Sequence, residues 1–267
     1  MDPTPAALAQ LAVAAARAGG ACAKQSFGDP LSVRRKTDGS EYTRADLDAQ
    51  AEVIRCILAS RPHDAILAEE QQPDERAELG SARCCWIIDP IDGTRNYIRG
   101  VPLYACSVAA CMDGVPVAGA IFAPQFDVLY SAALGGPLCV NGAPNVPQER
   151  SGRAKTPLVA IPSAATPRFR PWVEGLIDRA VLRSLGSTAL HLAYVASGAY
   201  DAALCSDSKL WDIAAGIVLV EAAGGVARGA GNGPLVPPRL SAYANEDTPC
   251  LVARSAELMG ALGLQPG

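Results

Sequence analysis

The sequence predicts an α/β protein in two differently built halves, a first of the α+β kind and a second of the α/β kind. Three observations carry this. The chain has 267 residues, of which 49% are hydrophobic, enough to bury a sizeable core as one large domain or two closely packed halves. Between Ala105 and Ala132, apolar runs alternate with turn signals at Met112-Asp113-Gly114 and Ala123-Pro124, the pattern of an antiparallel meander. Beyond Pro157, short apolar strands alternate with segments of helix length, the order of an α/β unit. Residues 1–267 are therefore read as a single domain with sub-halves at about 1–143 and 157–267, divided by the Pro/Gly/polar stretch from Ala143 to Pro157.

Taken in order, residues 4–24 set Leu8, Leu11, Ala12 and Ala15 on one face of a helix. Gly28 to Tyr42 is charged and carries the turn signals Asp29-Pro30 and Asp38-Gly39, so it reads as a loop. Thr43 caps a second helix through Leu47, Val53, Ile54 and Leu58. Ala65 to Ala68 and Arg83 to Ile88 are short strands, and both end in acids: Glu69-Glu70 and Asp89. After the meander, which Asn141-Gly142 closes, strands are expected at Leu158 to Ile161, Val181 to Ser184 and Tyr200 to Cys205. Helices are expected near Phe169 to Asp178, from Ser187 to Ala196 and from Trp211 to Ala223.

Charge narrows the function. A net charge of −4 gives no basic field for nucleic acid, although Arg34-Arg35-Lys36 is a local patch able to hold a phosphate. The N-terminus lacks a basic n-region, and no apolar run looks long enough to span a membrane. The nine cysteines include no C-x-x-C pair and read as reduced, small apolar residues of a cytoplasmic protein.

The chemistry is expected at Trp86-Ile87-Ile88-Asp89-Pro90-Ile91-Asp92-Gly93-Thr94, where a buried strand runs into two carboxylates, a proline, a glycine and a hydroxyl. Acids directly after a buried strand are costly unless solvent, partners or metal ions compensate them. Pro90 fixes one φ angle and Gly93 permits a tight turn, so Asp89 and Asp92 can converge as a new helix begins at Thr94. Oxygen ligands in that arrangement suit hard divalent cations. Taken singly, Glu69-Glu70 reads equally as a solvated strand end, Asp212 as a helix N-terminal acid and Asp46 as the cap acid three residues after Thr43.

The run from Trp86 to Tyr97, W-I-I-D-P-I-D-G-T-R-N-Y, closely resembles the signature of the inositol monophosphatase family. Four further segments resemble the same family in the same order: Lys36-Thr37-Asp38-Gly39-Ser40 with Thr43-Arg44-Ala45-Asp46; Ala68-Glu69-Glu70; Gly186-Ser187-Thr188-Ala189; and Trp211-Asp212 with Glu221 to Gly225. The resemblance implies a layered αβαβα sandwich of the sugar-phosphatase type, Mg²⁺-dependent phosphomonoester hydrolysis with two or three ions per site, lithium sensitivity and a homodimer. It implies that Glu69, Asp89 and the Ile91 carbonyl hold one ion, and Asp89, Asp92 and Asp212 a second. Thr94 and Asp46 would orient and deprotonate the attacking water, with Glu69 assisting. Phosphate would rest on the amides of Gly93 and Thr94, the substrate alcohol against Arg183, Gly186, Ser187 and Thr188, and the loop of Lys36 and Asp38 over the metals.

Substrate choice is written less clearly. Inositol-specific members carry a glutamate seven residues before the W-D aspartate; here that position is Cys205, with Asp207 nearby, and a thiol is a poor acceptor for ring hydroxyls. Leu134-Gly135-Gly136-Pro137-Leu138 also departs from the family's glycine-rich pattern. Arg95-Asn96-Tyr97 follows D-G-T as in the inositol and histidinol branches, so histidinol phosphate is an alternative substrate, with a sugar bisphosphate or a 3′-nucleotide behind it. A non-catalytic relative is disfavoured, because the six acids and hydroxyls of the motifs are all present.

Overall fold

The computed structural model describes residues 2–29, 32–36, 39–71, 79, 82–145, 156–231, 234–237 and 240–264. Helix α1 (Pro5–Gln25) begins where Thr4 Oγ1 accepts from Ala7 N and Pro5 fills the first turn. Strands β1 (Arg34–Arg35) and β2 (Glu41–Tyr42) form a small antiparallel ribbon before α2 (Arg44–Ser60). The first sheet is built from β3 (Ala65–Ala68), β4 (Cys84–Asp92), β5 (Ala105–Met112), β6 (Val115–Ala123), β7 (Val128–Ala133), β8 (Cys139–Val140) and β9 (Ala143–Pro144), in that spatial order. Only the β3–β4 pair is parallel; the remainder is the expected meander. Its turn chemistry is as read from sequence, with positive φ at Asp113-Gly114 and at Asn141-Gly142.

One boundary differs from the expectation. β4 does not stop at Ile88 but continues to Asp92, with an irregularity between the pairs Asp89 to Ser107 and Asp92 to Ala105. Pro90, which has no amide hydrogen to give the ladder, falls in this bulge. Helix α3 (Thr94–Ile98) follows directly.

The second sheet holds β10 (Leu158–Ala160), β11 (Val181–Arg183), β12 (Ala202–Cys205), β13 (Val226–Gly229) and β14 (Cys250–Ala253), ordered β11-β10-β12-β14-β13. Its first three strands are parallel, as the α/β reading requires, with α4 (Arg170–Leu176) and α5 (Thr188–Ala196) between them. After α6 (Leu210–Ala222), β13 and β14 add an antiparallel edge that the sequence reading did not foresee, and α7 (Ala256–Ala261) closes the described chain. Most of the expected 143–157 divider lies outside the described residues.

Three cores stack these elements into layers. Leu8 and Ala12 of α1 and Val53 and Ile57 of α2 pack on Trp86, Ile88 and Val108 of the first sheet. The opposite face, with Ile87, Ala109 and Ile121, meets Leu190, Ile213 and Leu219 of α5 and α6, which also cover Ala203 and Val252 of the second sheet. On the far side, Val159, Leu204 and Leu251 bury Leu176 and Met259. The order is helix, sheet, helix, sheet, helix, the αβαβα sandwich that the resemblance implies. Gly119 makes one joint possible: a Cβ there would lie 2.7 Å from the Ala215 carbonyl oxygen on α6.

Helix α1 corrects a second expectation. By length and composition it could cross a membrane, with 21 residues and a mean hydropathy of 1.3 in its most apolar window. In the fold it is placed as a core helix, with Leu8, Ala12, Ala15, Ala16, Gly19 and Gly20 buried.

Candidate active site

The bulged end of β4 turns Asp89 and Asp92 toward Asp212, which rides in the first turn of α6. Among the described residues, one carboxylate oxygen from each comes within 4.8 Å of the others. Asp89 and Asp92 are buried, and Asp212 is partly so. Burial pushes Asp89 well above the ordinary carboxylate range, and the charges of Glu69, Asp92 and Asp212 push it the same way. Burial, then Asp92 and Glu69, raise Asp212 likewise. Asp92 is pushed up to about 6, burial outweighing the hydrogen bonds it accepts from Ser187 and Ala189. Three convergent, mutually repelling oxygen donors fit a hard divalent cation, which neutralises them and needs no proton.

Local bonds set which oxygens are left for that cation. Asp89 Oδ1 accepts from Ile91 N at 3.0 Å, and Asp212 Oδ2 accepts from Lys209 N at 2.7 Å. Asp92 Oδ2 accepts from Ser187 Oγ and, at 2.8 Å, from Ala189 N at the start of α5. The Ile91 side chain is fully buried beside Ala45, Tyr97 and Tyr104, anchoring the turn as expected, while its carbonyl accepts from Thr94 Oγ1 at 3.0 Å.

Glu69 stands on the same cavity but outside the trio. Lys36 Nζ holds Glu69 Oε1 at 2.8 Å and Glu70 Oε1 at 2.6 Å. Burial works against the Lys36 charge, but Glu69 and Glu70 outweigh it and raise its pKa. Glu70 is pushed up to about 7 by burial and by Glu69. Lys36 thus lies beside Glu69 and Glu70. Asp38, the other loop residue, lies outside the described residues.

Asp46 meets Thr94 from the other side. Its Oδ2 accepts from Thr43 N at 2.7 Å and Thr43 Oγ1 at 2.6 Å, a capping box at the start of α2. Its Oδ1 lies 3.4 Å from Thr94 Oγ1. Burial lifts Asp46 to about 6 against the Thr43 bonds that lower it. Gly93 sits between the halves at φ 98°, where a Cβ would lie 2.9 Å from the Leu103 carbonyl oxygen and 3.2 Å from that of Gly186.

Glu69, Gly93, Thr94 and Asp212 line a cavity of about 290 Å³ together with Gly186, Ser187, Thr188 and His191. Cys205 and Asp207 both reach it. Arg183 does not: it lies exposed at the end of β11, donating to the Leu182 carbonyl. Two wall residues have roles that the sequence reading did not assign. Asn96 Nδ2 donates at 2.7 Å to the carbonyls of both Leu103 and Leu185, tying the halves together. His191 is buried, which pushes its pKa down to about 4, and its Nε2 accepts from Leu185 N. Neither role is marked locally, because the partners are distant in sequence or are backbone groups.

Comparison with known proteins places this geometry. Residues 5–259 match the model of the inositol monophosphatase family. A probable inositol 1-monophosphatase, ImpA, of Mycobacterium tuberculosis is 34% identical over 242 residues, covering 87% of this chain and 86% of that one. A histidinol-phosphatase of Chlorobaculum parvum is 34% identical over 229 residues, covering 81% and 83%. Among solved structures, the extragenic suppressor protein suhB of Bartonella henselae superposes with a TM-score of 0.78 at 26% identity, covering 95% of this chain and 97% of that one.

Proposed function

Because the chain belongs to the inositol monophosphatase family and is a phosphoric monoester hydrolase of that kind, we propose that it hydrolyses a small phosphorylated alcohol with Mg²⁺ as cofactor. The observation that carries this is the convergence of Asp89, Asp92 and Asp212 beside the Thr94–Asp46 pair. Glu69, Asp89 and the Ile91 carbonyl would hold one ion, and Asp89, Asp92 and Asp212 a second. When bound, Mg²⁺ supplies charge neutralisation and Lewis acidity to the attacking water and the leaving oxygen.

The protein's own groups do the rest. The amides of Gly93 and Thr94 face the phosphate at the start of α3. Thr94 Oγ1 takes a proton from the attacking water as its own proton passes to Asp46 Oδ1. A carboxyl lifted to about 6 is suited to hold that proton near neutrality. The water oxygen bonds to phosphorus as the ester P–O bond breaks on the opposite side; the leaving oxygen keeps the electron pair and takes a proton from solvent water, Asp46 returns its proton to solvent, and no covalent enzyme intermediate forms. Gly186, Ser187 and Thr188 wall the alcohol.

Histidinol phosphate is the second reading, favoured by one observation: buried Cys205 lies at the cavity where ring hydroxyls would need a strong acceptor. Phosphate-release assays test the proposal. Release should require Mg²⁺, and Asp92→Asn should lower kcat/KM at least ~100-fold, about 2.7 kcal/mol of transition-state stabilisation, while leaving the fold intact. Undiminished turnover in excess chelator overturns the mechanism. A lithium-inhibited homodimer in the cytoplasm completes the reading, and lithium titration and sedimentation test its first two terms.

A further inference from the structure

A second, larger cavity of about 510 Å³ adjoins the first and shares Glu41, Arg95, Asn96 and Ser163 with it. Arg35 and Arg99 line only the outer one. Arg95 and Arg99 stand four residues apart at the two ends of α3, a spacing that puts both on one side of the helix. Arg35 comes from the β1–β2 ribbon. Three guanidiniums therefore face a space whose lining includes one carboxylate, Glu41, and that acid is 3.7 Å from Arg35, whose side chain stays 77% exposed. Arg95 and Arg99 make no ion pair with any carboxylate among the described residues.

In a chain with a net charge of −4, three arginines gathered around a single acid among the described lining residues call for an anion. The phosphate being hydrolysed does not use it, since that group sits on backbone amides and cations further in. Guanidinium forks match the geometry of phosphate oxygens and bind them in pairs. We propose that the outer cavity is a second anion subsite, in which Arg35, Arg95 and Arg99 receive a second phosphate of the substrate. The subsite rests on the reading of the inner cavity as the place of hydrolysis. It makes the preferred substrate an alcohol phosphate that carries another phosphate beyond the scissile one.

The test compares substrates in pairs on the Mg²⁺-loaded protein: fructose 1,6-bisphosphate against fructose 1-phosphate, and 3′-phosphoadenosine 5′-phosphate against adenosine 3′-monophosphate. The doubly phosphorylated member of at least one pair should have a kcat/KM at least ~10-fold higher, carried by KM. Arg99→Ala should remove that advantage and leave the singly phosphorylated member within about twofold, and Arg99→Lys should restore part of it. Arg99 is exposed and makes no side-chain hydrogen bond among the described residues, so an unchanged melting temperature is expected as the control. Release without preference in either pair, or an equal loss on both members, overturns the subsite alone. No Mg²⁺-dependent release from any of the four overturns the hydrolytic reading and the subsite with it.

Discussion

Asp46 divides its work between its two oxygens. Oδ2 caps α2 through Thr43, and Oδ1 faces Thr94. Sequence alone left a cap acid and a catalytic base as rival readings, and the geometry accommodates both at once. Asparagine separates them, since it keeps an acceptor for the cap but cannot take up a proton. Asp46→Asn should therefore cost under about 1 kcal/mol of stability yet lower kcat by about 10²–10⁴, measured by thermal melting and phosphate release. Equal activity in the variant would reduce Asp46 to a cap. At this scale the D-P-I-D-G-T residues were legible because their spacing is local. The roles of Asn96 and His191, and the meeting of Arg35 with Arg95 and Arg99, were not, because they depend on contacts between segments far apart in the chain.

The turn after β4 is the element on which the site depends. The ladder admits Asp89 through Asp92 only by bulging at Pro90, and Gly93 then turns the chain at φ 98° into α3. A methyl at Gly93 would meet two backbone carbonyls, which cannot swing aside as a side chain could. Gly93→Ala should cost about 1–3 kcal/mol, seen as a lower denaturation midpoint, and should reduce turnover as the Thr94 amide is displaced. A variant as stable as the parent would mean that the turn relaxes freely. The meander was readable from its Asp-Gly and Asn-Gly turns, which demand positive φ. The strand end was misplaced because a proline beside two acids looks like an ending, and a bulge has no separate sequence mark. β13 and β14 were missed because four-residue strands after the last helix carry too little periodicity to separate from loop.

Across the whole molecule, the acids of the trio come from both halves, Asp89 and Asp92 from the first and Asp212 from the second. Without a cation, the folded state keeps protons on these carboxyls that the unfolded chain releases near its ordinary value of 3.8. Their raised pKa values thus contribute stability that is present below about pH 4 and lost as pH climbs through about 6 for Asp92 and through the raised range of the other two. Mg²⁺ competes with those protons and stabilises only the folded state. The gap in melting temperature between Mg²⁺ and chelator should accordingly be small at pH 4 and widen toward pH 8. A gap that is constant or that narrows would show that these acids do not hold the ion. The layered architecture was legible in outline, from the order of strands and helices and from the family signature. Which faces pack was not, since joints such as Gly119 against Ala215 arise only when the layers meet.

The bonds from Ser187 and Ala189 to Asp92 also bear on how the protein is made. Synthesis runs from the N-terminus, and while the emerging chain stops short of Ser187 the bulge of β4 carries Asp92 without the two donors it has in the folded chain. The turn after β4 therefore lacks, at that stage, the helix end that satisfies Asp92. Assembly of the three-carboxylate cluster is therefore a late event, completed when α6 delivers Asp212.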